Sequence, residues 1–129
     1  MVGVSSPRRD ALIAAGQTAP APIQIRGLLD TGASGTAIDP SVLTALGLTP
    51  TGTAQVLTPT TGATPHVVDQ YDVAILIPAP NGAPLFKQTL PVTASSLLAA
   101  QGFHALIGRD ILGQCVFVYN GSGFFTLSY

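Results

Sequence analysis

Apolar positions along this chain fall in short blocks, and Gly, Pro, Thr and Asn separate the blocks. Such a pattern predicts strands joined by turns rather than alternating strand and helix units. "VGVSS" reads as a first strand and "ALIAAG" as the second limb of the same hairpin. In "APAPIQIRGLLD", Ile23 and Ile25 face one way and Gln24 and Arg26 the other. At Leu28 and Leu29 the run becomes fully apolar, as a strand entering a core does. "TAQVL" and "HVVDQYDVAILI" pair across an exposed tip, "TPTTGATP". A strand "YDVAILIP" ends at Pro78, and Asn81-Gly82 makes the turn into "LFKQTLPVTA". "FHALIG" is a buried strand. The end of the chain, "CVFVYNGSGFFTLSY", is an aromatic hairpin around Asn120-Gly121. That turn also accounts for the glycosylation triplet Asn120-Gly121-Ser122.

Helix signals are few. In "IDPSVLTALG", Asp39 suits the N-cap, Pro40 the first helical position and Gly47 the C-terminal stop. Ile38 and Leu43 stand at the spacing of a hydrophobic staple. "SSLLAAQG" predicts one or two helical turns and "RDILG" a short helix. The pattern as a whole predicts one all-β domain over residues 1–129, a barrel or a sandwich, with one or two short helices.

Composition narrows the chemistry. Only 9% of the 129 residues are charged, against 47% hydrophobic, and Glu is absent. A net charge of -1 provides no basic face for nucleic acid and no polybasic membrane patch. An apolar, weakly charged chain favours self-association. The single cysteine, Cys115, lies in an apolar run and reads as a small buried side chain. His66 and His104 stand alone, without partners at metal spacing, and read as satisfied structural histidines. No metal or cofactor is expected. No apolar run reaches the roughly 18 residues of a membrane helix. In "SSPRRDALIAAG" the apolar part is too short for a signal peptide, and Asp10 interrupts it. A cytoplasmic location is the resulting expectation. Asp69 and Asp72, either side of Tyr71, are expected to face solvent, as are Arg8 and Arg9 in a turn.

With so few charges, an aspartate at the end of an oily strand asks for a reason. In "LLDTGASGTAID", Asp30 follows Leu28 and Leu29, and five small residues follow it. Asp-Thr-Gly alone is a common strand-to-turn step. The small residues, however, let another backbone approach closely. A lone carboxylate at low dielectric is unfavourable. Two carboxylates sharing one proton resolve this and can activate a water held between them. The chain has one such aspartate and no internal repeat, so the second would come from a second copy across a two-fold axis.

"LLDTGAS", followed well downstream by "ALIGRDIL", resembles the retropepsin family of aspartic proteases over roughly residues 23–129. The resemblance implies a closed β-barrel, active as a two-fold homodimer. It implies that Asp30 is the catalytic carboxylate and that Thr31 interlocks with its twin. It implies that Gly32 and Ala33 line the site, with the Gly32 carbonyl near substrate backbone. Leu106, Ile107 and Gly108 would pack behind that loop, and Arg109 and Asp110 would open the C-terminal helix. The hairpin around residues 53–70 would be a flap, with Gly62 at its tip. Phe124, Phe125, Leu127 and Tyr129 would suit a dimer contact.

Three features depart from the family. Ser34 stands where many members carry an aspartate that pairs with the arginine, so Asp110 or the C-terminal region must serve Arg109. The flap has only Gly52 and Gly62. Tyr71 lies too far along its strand to match a flap tyrosine. The function implied is endopeptidase action on peptide or protein, best in mild acid. The alternative is a catalytically silent module of the same fold that binds peptide or dimerises.

Overall fold

The computed structural model describes residues 1–57, 62–80, 82–96 and 99–129. Part of the expected hairpin tip, Asn81 of the expected turn, and Leu97-Leu98 lie outside the described residues.

Seven strands form one mixed sheet: β1 (Val2–Val4), β2 (Gly27–Leu29), β3 (Ala37–Ile38), β4 (Gly52–Val56), β5 (His66–Ile77), β6 (Leu85–Ala94) and β7 (Ala105–Ile107). Their order is β1-β5-β6-β3-β7-β2, with β4 also paired to β5. A separate two-stranded sheet joins β8 (Val116–Tyr119) to β9 (Phe125–Ser128). Three helices complete the described structure: α1 (Ser6–Ala14), α2 (Pro40–Ala45) and α3 (Arg109–Leu112), with a 3-10 turn at Ala99–Gln101.

The expected closed all-β barrel is not what forms. β2 runs parallel to β7, and β3 parallel to β6, so the sheet is mixed. It is also open. β1 and β2 stand at its two ends, and among the described residues only an isolated bridge between Val2 and Ile23 reaches from one side toward the other. The sequence shows why that bridge does not extend. Pro20 and Pro22 precede Ile23 and have no N–H to offer a ladder. The Pro22 ring lies against Gly3, where a Cβ would meet it at 3.4 Å.

The expected N-terminal hairpin is also replaced, by α1. The segment has no period-two alternation. Its Arg, Ala and Leu residues are good helix formers, Pro7 occupies the first turn, and Gly16 at φ +70° stops the helix. Arg8 and Arg9 are exposed on this helix rather than in a turn.

The core lies between the long strands and α2 and α3. Val2, Ile38, Val73, Ile75, Val92 and Ala105 from the sheet meet Leu43 and Ile111 from the helices and Leu46 at the C-terminal cap of α2. α2 forms as its caps dictate. Asp39 accepts from Ser41 N at 2.9 Å, Pro40 opens the helix, and Gly47 leaves it at φ +62°. Ile38 and Leu43 are both buried, at the staple spacing.

Candidate active-site loop

β2 ends at Leu29, and β7 runs parallel beside it, pairing Leu28 with Leu106 and Leu29 with Ile107. Asp30 N continues the ladder by donating to Ile107 O at 2.9 Å. β3 lies on the opposite side of β7. The loop from Asp30 to Thr36 must therefore pass over the end of β7 to reach it. At the crossing the two backbones touch. A Cβ on Gly108 would fall 2.5 Å from the Gly35 carbonyl carbon, so no side chain fits there. Arg109 N donates to Ala33 O at 3.0 Å and closes the crossing. Gly108 thus meets the 30–36 loop at Gly35 and Ile107 O holds Asp30 N, while Leu106 pairs with Leu28 and Ala37 on the flanking strands.

The Asp30 carboxylate is half-buried and turned back onto its own loop. Its Oδ1 accepts from Gly32 N at 2.9 Å and Ala33 N at 3.2 Å. Thr31, Gly32, Ser34 and Gly35 are exposed. Leu28 is 47% exposed, contrary to the expectation of a fully buried approach. Only every second side chain of β2 faces inward, so Leu29 packs on the core and Leu28 does not.

Arg109 and Asp110 do not pair with each other. Arg109 Nη1 donates to Thr31 O and to Gly32 O, each at 2.9 Å. The missing carboxylate at Ser34 is thus replaced by two backbone carbonyls. The Gly32 carbonyl, expected near substrate, is held from within the chain. Asp110 instead receives Thr36 N on Oδ2 and the Thr36 hydroxyl on Oδ1, both at 2.8 Å. The Thr36 hydroxyl accepts in turn from Gly108 N at 3.2 Å. Thr36 escaped the reading of the sequence. It stands next to an unremarkable apolar pair, and its partners lie more than seventy positions away, at separations of 74 and 72.

The hairpin of β4 and β5 pairs Gly52 with Gln70 and Val56 with His66. Gly62 has φ +60°, a left-handed value that suits a turn. Leu57 and Val67 expose 62% and 66% of their surface on this hairpin. Asp69 is exposed, as expected, whereas Asp72 is half-buried. His104 departs from its expected satisfied state: its Nδ1 is buried without a hydrogen-bond partner. It borders a cavity of about 230 Å³ lined by Ile23, Ile25, Ser41, Val42 and Ala45 among others, away from Asp30. No cluster of three metal-ligating side chains occurs among the described residues, and no described helix is long and apolar enough to cross a membrane.

Residues 16–75 match the family model described as "Aspartyl protease". This match supports a retropepsin-like aspartic protease family. The matched segment holds the Asp30-Thr31-Gly32 loop and both strands of the 52–70 hairpin, and it ends before the β7 crossing. The family points to an aspartyl-protease-like function. No match is found among curated proteins or solved structures.

Proposed function

We propose that two copies of this chain form an aspartic endopeptidase, with one Asp30 from each. The observation that carries this reading is the Asp30 loop itself. Its carboxylate is oriented by two backbone N–H groups and surrounded by small, exposed residues. A second copy of the loop can approach it closely, and the exposed Thr31 hydroxyl is free to contact its twin. The C-terminal hairpin supports pairing too. Tyr119, Phe124 and Phe125 are 65%, 72% and 59% exposed, a concentration of aromatic surface that favours burial.

In such a dimer, two carboxylates share one proton. The anionic one takes a proton from water as that water attacks the peptide carbonyl carbon. The protonated one donates to the carbonyl oxygen, and the leaving amine then receives a proton. The 52–70 hairpin, with Leu57 and Val67 exposed, would cover an extended peptide and exclude water. The apolar surroundings favour hydrophobic side chains on either side of the cut.

Cleavage of a peptide library, read by mass spectrometry from about pH 4 to about pH 7, tests this across the range where a carboxylate pair holds one proton. Wild type should cut best toward the acidic end, and Asp30→Asn should not cut. Equal cleavage by both proteins would rule the mechanism out. Dimerisation and peptide binding without cleavage would favour the silent module.

A further inference from the structure

Asp30 and Arg109 hold opposite edges of the same two peptide groups. Thr31 C=O and Gly32 N–H belong to one group, and Gly32 C=O and Ala33 N–H to the next. Both carbonyls accept from Arg109 Nη1, and both N–H groups donate to Asp30 Oδ1. No cis peptide bond occurs among the described residues. In a planar trans peptide, the carbonyl and the N–H point in opposite directions. The direction of each carbonyl therefore fixes the direction of its N–H.

We propose that Arg109 is a positioning residue for Asp30, acting through these two peptide groups. The proposal rests on Asp30 being the reacting carboxylate. Little within the loop itself would hold the peptides in place. Thr31 and Gly32 are exposed, and glycine has wide backbone freedom. Arg109 supplies the missing restraint from a fixed base, since its own N–H is bonded to Ala33 O at 3.0 Å. Its guanidinium is permanently charged and planar. Hydrogen bonds linked in series also polarise one another. The cation thus strengthens the two N–H donors that face Asp30, without touching the carboxylate. If the guanidinium is removed, the two peptides are free to rotate, and Oδ1 loses its fixed seat. Asp110 does not substitute for it, because a carboxylate only accepts hydrogen bonds and has nothing to donate to the two carbonyls.

The test uses the full chain, isotopically labelled, as wild type, Arg109→Ala and Arg109→Lys. In Arg109→Ala the amide proton resonances of Gly32 and Ala33 should move upfield as their bonds to Asp30 lengthen, while the amides of β5 and β6 stay in place. Arg109→Lys, which keeps a cation but lacks the planar fork, should restore part of the shift. In peptide cleavage, kcat should fall by about 10- to 100-fold in Arg109→Ala, the loss expected of a misplaced reacting group, with KM nearly unchanged. A folded Arg109→Ala protein with wild-type Gly32 and Ala33 resonances would overturn the proposal. If that variant does not fold, Arg109→Lys decides by the same two resonances. A wild-type chain that cleaves nothing would overturn the endopeptidase reading alone, because the amide resonances still report whether Arg109 sets the loop.

Discussion

Thr36 donates to both carboxylate oxygens of Asp110, the backbone N–H to one and the hydroxyl to the other, each at 2.8 Å. The same hydroxyl accepts from Gly108 N. One residue, 1% exposed, thereby ties the end of the candidate site loop to the start of α3.

Removal of this tie should be costly because it strands buried donors. Asp110→Ala leaves the Thr36 N–H and the Thr36 hydroxyl without acceptors, and should destabilise the fold by about 2–4 kcal/mol. Thr36→Val keeps the shape but loses the hydroxyl, and should cost about 1–3 kcal/mol. Denaturant unfolding measures both. Losses near zero would show that the network contributes nothing.

Gly108 should tolerate no side chain. Backbone lies on both sides of the crossing, and no rotamer change can relieve the contact with Gly35. Gly108→Ala should cost about 3 kcal/mol, the upper end for overpacking. Gly121→Ala, at a site with open space, is the control and should leave the melting temperature near wild type.

Asp39 sets an acid limit on the fold. The Ser41 hydroxyl, at 2.6 Å, and then the Ser41 N–H hold its carboxyl below the ordinary value of 3.8, against the opposing effect of burial. The folded value is thus lower than the unfolded one. The stabilisation is fully present above the unfolded value and is lost as pH falls through the folded value. Thermal melts from about pH 6 down to about pH 3 should show this loss in wild type. Asp39→Asn, which keeps a capping side chain, should show a smaller loss over the same range. An identical acid response in the two proteins would contradict the assignment.

Cys115 should react slowly. Burial raises its thiol above the ordinary value of 9.0, and its Sγ lies 3.5 Å from Ile111 O. Little thiolate then exists near neutral pH, and the thiolate is the nucleophile. Alkylation of the folded protein should proceed at a small fraction of the rate for the denatured chain.

Local chemistry was legible in the sequence, and long-range closure was not. β5 and β6 have the extents their apolar runs predict, because the runs are long and bounded by Pro, Gly and Asn. α2 was legible from Asp39, Pro40 and Gly47, since caps act within a few residues. α1 was misread because a short Ala-rich run has no periodicity to separate helix from strand. The open edge was not legible, because Pro20 and Pro22 limit pairing only once the fold brings Ile23 beside Val2. At the candidate site, Asp30 stood out by its place after Leu28 and Leu29. The partner of Arg109 did not, because backbone carbonyls leave no mark in a sequence. Thr36 likewise finds Asp110 only through the fold.

The central claim is that two copies each supply one Asp30. Mixing wild type with Asp30→Asn at constant total protein tests it most directly. If pairing is random and both carboxylates are needed, an equal mixture should retain about one quarter of the wild-type cleavage rate, the fraction of dimers with two intact copies. A rate of about one half, proportional to the wild-type chain present, would mean that each chain works with its own Asp30 alone, and would contradict the shared site.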